Sequence, residues 1–478
     1  MTRGYPASTM DNTKDNTQLI VSVSGVRGIV GEALTPEVAL RFGRSFGKML
    51  IELRGDGTQR PWRVAVGRDS RLSGPMIQSA LAAGLLGMGV EVSDLGVAAT
   101  PSIALMGRFL AVDGAIVVTA SHNPPEYNGL KFLRHDGIAF PASAIERLKS
   151  IYAAGDWRPS QPGRIGTLRS ESRAHAHHVQ CVLQHVDARP IAAQRHRVVL
   201  DSINGAGCIA SPMLLGKLGV ELVHINSEAT GQFAHAPEPT RENLAGLGAV
   251  VERKKAAVGF AQDPDADRLA VVDETGRYIG EEYTLALAAR NRLSQLPLPR
   301  AGGTGQSGVV VCNLSTSRMI DDIAARFGCS VVRTPVGEAN VAGKMLQTGA
   351  ILGGEGNGGV IDPRIGPVRD SLIAMAMILE LMTRTRKTVS QLVGELPAYA
   401  MIKTKFAATH GQAAALVEKV KTEFADQKMD MQDGVRIDWP HGWVHVRPSN
   451  TEPIARVIAE AADEPAAREL IARVEKLR

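Results

Sequence analysis

Short hydrophobic runs recur along the chain. Each ends in a polar loop and is followed by a longer apolar stretch with helical spacing. Arg63-Val64-Ala65-Val66-Gly67 reads as a strand, residues 68–74 as a polar loop, 75–88 as a helix, and Val90-Glu91-Val92 as a second strand. The pattern returns at Arg197-Val198-Val199-Leu200, with a loop over 201–207, a helix to Leu218 and a strand over 220–225. It returns again at Val309-Val310-Val311-Cys312, with a loop over 313–317, a helix to Phe327 and a strand over 330–332. Strand, polar loop, helix, strand, three times over, predicts three related α/β units with partly parallel sheets. Each βα loop is expected to meet ligand at a sheet edge. Ahead of the first unit, Thr35-Pro36-Glu37 supplies an N-cap and a first-turn proline for a helix that continues from 38 to 51.

The last part differs. Residues 398–406 read as a strand and 410–424 as an amphipathic helix. Val435-Arg436-Ile437-Asp438 and Trp443-Val444-His445-Val446 form a hairpin around Pro440-His441-Gly442, and a helix over 464–477 closes the chain. The predicted fold class is therefore α/β: three related α/β domains with mixed sheets, over 19–165, 166–302 and 303–396, then a smaller α+β domain over 397–478. The glycine-rich run 302–308 reads as a linker or hairpin tip.

The loops carry the chemistry. Gly114-Ala115-Ile116-Val117-Val118 is a buried-strand pattern, and the chain after it breaks into Ser121, His122, Asn123 and two prolines. Successive prolines continue neither a helix nor a central strand, so Ser121 lies on a loop beyond a strand end. His122, the carboxamides of Asn123 and Asn128, and the Lys131 ammonium accompany it. Asp263, Asp265 and Asp267 alternate in a segment that Pro264 makes extended or looped, so all three can face one way. Crowded carboxylates repel unless a cation joins them, and an all-oxygen set favours a hard ion such as Mg²⁺. A solvated acidic turn is the alternative. An EF-hand is disfavoured because Arg268 stands at its required glycine, although Glu274 falls at its twelfth position. Residues 353–359, Gly-Gly-Glu-Gly-Asn-Gly-Gly, allow close backbone approach to a ligand, with Glu355 and Asn357 as partners for sugar hydroxyls. Residues 447–453, Arg-Pro-Ser-Asn-Thr-Glu-Pro, gather a guanidinium, two hydroxyls and a carboxamide on one turn, a phosphate cradle. Gly25 and Gly28 flank Arg27 and let the backbone present its guanidinium.

TASHNPPEYNGLKF, residues 119–132, resembles the active-site loop of the α-D-phosphohexomutases, the family that includes phosphoglucomutase, phosphomannomutase and phosphoglucosamine mutase. DPDADR at 263–268 matches that family's metal loop, RPSNTEP at 447–453 its phosphate-binding loop, and GVRG at 25–28 its amino-terminal segment. GGEGNGG stands where the family has a sugar-recognition loop, commonly Gly-Glu-x-Ser-Gly-His. Here Asn357 replaces the serine and Gly359 the histidine, a form that some phosphoglucosamine and phosphomannose mutase-like members carry. The resemblance runs from about residue 20 to the end.

The resemblance implies that Ser121 carries a phosphoryl group and supplies an oxygen to Mg²⁺ beside Asp263, Asp265 and Asp267. It implies that Arg268 holds that phosphoryl group, Arg27 faces the site, and His122 and Lys131 are the candidate general acid and base. Glu355 and Asn357 would bind the sugar, and Arg447, Ser449, Asn450 and Thr451 the phosphate. The implied reaction interconverts hexose 6-phosphate and hexose 1-phosphate through a hexose 1,6-bisphosphate, which serves as intermediate and activator. Phosphoglucosamine mutase is the first expectation, and phosphomannomutase or phosphoglucomutase the alternative. A metal-dependent phosphatase and a non-catalytic sugar-phosphate sensor are the other classes. A decayed sensor is disfavoured because Ser121, the three aspartates and Arg447 are intact.

Composition narrows this further. With 478 residues, 44% of them hydrophobic and 22% charged, the chain has the balance of a soluble globular protein of three or four domains. Net charge is +5, but the charges are interspersed and aromatics make up only 4%, so no nucleic-acid role is expected and an anionic small substrate is. Cys181, Cys208, Cys312 and Cys329 lack paired spacing and read as thiols of a reducing compartment. Residues 1–18 have no apolar core, and 372–382 are too short to span a bilayer, so a cytoplasmic protein without membrane association is expected. The run 372–382 is apolar on nearly every face and reads as core or as an interface; a monomer and a homodimer both fit. His175, His177 and His178 read as a polar helix face rather than a metal site.

Overall fold

The computed structural model describes residues 19–54, 60–158, 160–297, 308–449 and 454–478. The expected fold class is present, and the internal repeat is stricter than the sequence pattern alone requires. In the first domain, Trp62–Arg68 lies between the parallel strands Val90–Val97 and Gly114–Val118, and Tyr127–Arg134 closes antiparallel on Gly114–Val118. In the second, Arg197–Asp201 lies between Glu221–Ile225 and Val258–Gln262, with Leu269–Asp273 antiparallel. In the third, Val309–Asn313 lies between Ser330–Thr334 and Leu352–Glu355, with Gly359–Ile361 antiparallel. The first sheet alone grows to seven strands: Gly25–Ile29 and Ile20–Ser22 join one edge and Leu168–Ser170 the other. The third strand of each repeat is buried along its whole length. That is the environment which selects Val-, Ile- and Ala-rich runs without polar alternation.

The repeat corrects one expectation. The βα loop after the first strand does not carry the candidate ligand groups. They sit on the connection between the third strand and the antiparallel fourth, and the βα loop lies against that connection and holds it. Arg71 from the first βα loop donates to the carbonyls of Ser121, Asn123, Pro124 and Tyr127. In the second repeat Ala206 N donates to Pro264 O at 2.8 Å. In the third, Asn313 Nδ2 donates to Glu355 Oε1 at 2.8 Å and Thr316 Oγ1 accepts from Gly356 N at 3.2 Å.

Domains two and three share one core through the helices Glu282–Leu293 and Ser371–Thr385. Ser371 through Thr383 are all buried. The apolar run 372–382 is thus core, not an outer interface. The fourth domain is an antiparallel sheet in the order Ala400–Ala407, Ile454–Ala461, Gly442–Pro448, Val435–Trp439, Lys428–Asp430, covered by the helices His410–Glu423 and Glu464–Glu475. Thr409 closes a capping box with Gln412 at the first helix, and Asp463 caps the second. The cysteines are unpaired, as expected. Among the described residues no helix is long and apolar enough to cross a membrane. Of the run 302–308 only Gly308 is within the described residues.

Candidate active site

Ser121 follows Gly114–Val118 and adopts φ 51°, a left-handed conformation unusual for serine. Its neighbours hold it there. Thr119 Oγ1 accepts from Ser121 N at 2.9 Å and donates to Asp69 Oδ2 at 2.6 Å. Asp69 in turn accepts from Arg71 Nε at 3.1 Å and Arg71 N at 2.9 Å. The Arg71 guanidinium is 1% exposed, so its bonds to the loop carbonyls are shielded from water.

The three aspartates follow Val258–Gln262 on a turn whose Ala266 also has a left-handed φ, 53°. All three are buried, and one ligand oxygen from each lies within 4.8 Å of the others. Each carboxylate has one oxygen fixed by protein donors. Asp263 Oδ1 accepts from the backbone N–H of Asp267 and Arg268, both at 3.2 Å. Asp265 Oδ2 accepts from Thr100 Oγ1 at 2.7 Å and Lys131 Nζ at 2.6 Å. Asp267 Oδ2 accepts from Lys131 Nζ at 3.2 Å and an Arg369 amino group at 2.6 Å. The other oxygens, Asp265 Oδ1 and Asp267 Oδ1, are buried without a partner. Burial and the adjacent carboxylates push Asp263 well above the carboxylate range. Hard oxygen donors, orphaned at close range in a repulsive cluster, fit a divalent cation such as Mg²⁺.

This loop meets the serine across the domain boundary. Ser121 Oγ donates to Asp263 Oδ2 at 3.2 Å, and His122 Nδ1 lies 3.4 Å from the same hydroxyl. The positive charge of Arg268, burial and the charge of Arg27 hold His122 well below its ordinary value. Arg268 Nε is buried without a hydrogen bond, 3.9 Å from both Asp263 and Asp267. Arg27 lies on Gly25–Ile29 opposite Gly129 and donates to Asn123 Oδ1 at 3.0 Å. The residues read from the first two motifs are therefore together.

The third loop joins them directly. Leu269 N donates to Gly358 O at 3.0 Å, and a Cβ at Gly358, with φ +87°, would lie 2.4 Å from Leu269 O. Only glycine allows that approach. Glu355 is nearly filled: its Oε1 accepts from Asn313 Nδ2 and Gly337 N, and its Oε2 from Arg369 at 2.8 Å. Asn357 Oδ1 is buried and unpartnered.

Arg447 is the penultimate residue of the strand Gly442–Pro448. One amino group is 3.5 Å from Asp433 Oδ2, and its Nε is buried without a partner. Burial lowers this guanidinium, opposed by Asp433 and Glu355. Ser449 N donates to Ile454 O at 2.9 Å, which ties the end of Gly442–Pro448 to the start of Ile454–Ala461. Asn450 and Thr451 lie outside the described residues. The domain docks on the third βα loop: Arg436 donates to Leu314 O at 2.5 Å, and His445 Nδ1 lies 2.9 Å from Ser315 Oγ.

Sequence reading missed Asp69, Arg71, Thr100, Asn313 and Arg369, all of which hold site groups. Arg71 and Asn313 stand in the polar βα loops, so the repeat was a usable signal for them; Thr100 and Arg369 offered none. The histidine expectation needs correction at His178. Far from being a polar face, it is fully buried, 2.8 Å from Ser102 Oγ and 2.8 Å from Asp370 Oδ2, and ties three domains together.

The comparisons agree with this architecture. Profiles described as phosphoglucomutase/phosphomannomutase, alpha/beta/alpha domains I, II and III, match residues 18–159, 176–276 and 281–399, and the C-terminal domain of that family matches 402–477. A phosphoglucomutase/phosphomannomutase of Thermococcus kodakarensis is 41% identical over 94% of this chain and 95% of its own. A probable phosphoglucosamine mutase of Methanopyrus kandleri is 35% identical over 94% and 95%. The crystal structure of a phosphoglucomutase/phosphomannomutase family protein from Burkholderia thailandensis superimposes with a TM-score of 0.83 at 28% identity, covering 96% of each chain. With all four domain profiles in order along one chain, the protein belongs to the phosphoglucomutase/phosphomannomutase family of phosphohexomutases.

Proposed function

We propose that the protein interconverts hexose 6-phosphate and hexose 1-phosphate through a phosphorylated Ser121. The observation that carries this reading is the 3.2 Å contact between Ser121 Oγ and Asp263, residues 142 apart in sequence and on different domains. In the first half-reaction the Oγ–P bond of phospho-Ser121 breaks. A new O–P bond forms to the free hydroxyl of the bound monophosphate, whose proton passes to a base. The resulting hexose 1,6-bisphosphate turns over in the site and returns its other phosphoryl group to Ser121, and the proton returns to the hydroxyl oxygen released. His122, 3.4 Å from Oγ, and Lys131 are the candidate acid and base. Mg²⁺, when held by Asp263, Asp265 and Asp267, would neutralise charge on the phosphoryl oxygens in a loose transition state. Arg268 orients the phosphoryl group. Arg27 holds Asn123 in the serine loop. Glu355 and Asn357 bind the sugar. Arg447, with Ser449, Asn450 and Thr451, holds the phosphate that is not reacting, in both half-reactions.

Glucosamine phosphate is the substrate we assign. Relatives named probable phosphoglucosamine mutase and the Asn-Gly-Gly form of the sugar loop support it. The name of the Thermococcus relative at 41% identity points instead to glucose and mannose phosphates. Comparing kcat/KM on the three sugars decides between them, and a mannose or glucose preference would leave the mutase reading standing. The reaction itself is tested on Ser121. Intact-mass and peptide analysis should find phosphate there, Ser121→Ala should abolish isomerisation, and wild type should release little free phosphate. Phosphate at another residue together with an active alanine variant would sink the reading.

A further inference from the structure

Arg369 belongs to none of the motifs, yet its guanidinium joins two of them. One amino group donates to Glu355 Oε2 at 2.8 Å and the other to Asp267 Oδ2 at 2.6 Å. The side chain is 8% exposed, so both ion pairs are shielded from water. Its backbone is clamped on both sides: Arg369 N donates to Glu338 Oε1 at 2.7 Å, and Asp370 N donates to Val360 O at 2.8 Å. Asp370 is fixed in turn by His178 and by capping the helix Ser371–Thr385. The path of the Arg369 stem crosses Gly359. A Cβ built there would lie 2.3 Å from Arg369 Cδ, so any larger side chain at 359 displaces the arginine. Gly359 is also where the sequence departs from the commoner histidine. The glycine on the strand leaves space for the arginine stem to cross it.

We propose that Arg369 is a positioning residue that sets sugar specificity, aiming Glu355 at a substrate hydroxyl while its fixed charge opposes the cation at Asp267, with Gly359 leaving its stem room to pass. This rests on the mutase reading. Glu355 has its Oε1 held by Asn313 and Gly337, so Arg369 is the partner that fixes the rotation of the carboxylate about that anchor. A planar fork meets two carboxylates in a fixed relative geometry, whereas a lysine ammonium is a point charge on a flexible stem and fixes the rotation of neither. At Asp267 the same fork takes Oδ2 and leaves Oδ1 free, and it adds a like charge close to any divalent ion bound there.

Those two roles give opposite signs, which a loosened fold would not. Mn²⁺ alone is titrated into the metal-free full-length protein and followed by electron paramagnetic resonance. Arg369→Met should bind it about tenfold more tightly than wild type, because a like charge is gone. The same variant is assayed on hexose monophosphates lacking one ring hydroxyl at a time. Wild type should discriminate against at least one of them. Glu355→Gln and Arg369→Met should both lose that same discrimination, and the double variant should lose no more than either single one. Arg369→Lys should keep Mn²⁺ affinity close to wild type and still lose the discrimination. If the methionine variant fails to fold, the lysine variant decides alone. Mn²⁺ binding no tighter in Arg369→Met, or discrimination retained in either Arg369 variant while Glu355→Gln loses it, overturns the proposal, as does a wild type indifferent to every hydroxyl. A wild type that interconverts no hexose monophosphate is the failure of the mutase reading instead, and the Mn²⁺ titration still reads the charge of Arg369.

Discussion

Replacing Arg71 by methionine should release the Ser121 loop while leaving the aspartate turn in place. The Arg71 side chain makes five bonds: one to Asp69 and four to the carbonyls of Ser121, Asn123, Pro124 and Tyr127, at 2.6–3.1 Å. Methionine matches the volume of the stem but donates nothing. Taken singly, a hydrogen bond to a charged group contributes about 1.5–3 kcal/mol. Five such terms would exceed the whole stability of an ordinary domain of roughly 5–15 kcal/mol. They cannot add, because a freed surface loop can turn its carbonyls to water. The residue that cannot escape is Asp69, fully buried and left with Thr119 and a backbone N–H. Removing one partner of a buried pair costs about 3–5 kcal/mol, and that is the expected loss for the first domain.

At roughly 2–4 °C per kcal/mol for a domain of this size, its calorimetric transition should fall by roughly 6–20 °C. Adding Asp69→Asn should restore part of the loss, since the unpaired charge is then gone. Function should fail separately. Without the carbonyl clamp only the bond from Ser121 N to Thr119 Oγ1 braces the loop at φ 51°, so phosphate on Ser121 and kcat should drop by more than about a hundredfold. Mn²⁺ binding should persist, because the aspartate turn is held from its own domain by Ala206. The reasoning is refuted if Arg71→Met melts within about 2 °C of wild type, or if it retains full Ser121 phosphorylation and turnover.

Two further outcomes follow from buried histidines. Burial holds His445 down to about 4 against the pull of Asp433, while an unfolded imidazole titrates near 6.5. Its contribution is therefore present above pH 6.5 and lost as the pH falls from there toward 4, about 3 kcal/mol in all. Denaturant unfolding of the fourth domain at pH 7 and pH 4.5 should show that slope in wild type and lose most of it in His445→Gln; equal slopes would count against it. His178→Phe should leave Ser102 Oγ and Asp370 Oδ2 without their shared partner, lowering stability by about 2–4 kcal/mol. Thermal unfolding that is unchanged in that variant would mean the buried chain of bonds holds nothing.

The parts of the site legible in the sequence are those whose residues stand next to each other. Ser121 with His122, the alternating aspartates, and Glu355 with Asn357 each sit on one loop, where periodic strands on either side mark the break. What escaped reading is what acts across the chain. Arg71 lies 50 residues from the serine it holds, Thr100 lies 165 from Asp265, and Arg369 lies 102 from Asp267. Hydrophobic periodicity reports which face of an element is buried, not which polar side chain another element will need. His178 illustrates the limit: among other histidines on one helix it looks solvent-facing, and only the approach of Ser102 and Asp370 makes burial tolerable. The strand Ile454–Ala461 went unread for a related reason. Its burial does not alternate cleanly and Arg456 interrupts it, while its pairing with two neighbours gives it a central place in the sheet.

The repeat explains how the loops of the first three domains come together. In each of the first three, the ligand loop leaves the carboxyl end of the third strand and turns back antiparallel, so it is short, stiff and aimed past the sheet edge. The βα loop beside it braces it through hydrogen bonds. In the third repeat that brace has two faces. Asn313 and Thr316 hold the Glu355 loop, while Leu314 and Ser315 receive Arg436 and His445 of the fourth domain. Val336 N reaches Asp433, which also contacts Arg447. The Glu355 loop and Arg447 are therefore both tied, through Asn313, Thr316 and Asp433, to the same stretch of the third domain. Glu355, held by Asn313 and Gly337, is joined in turn through Arg369 to Asp267, so the third βα loop, the Glu355 loop and the aspartate turn form one chain of hydrogen bonds.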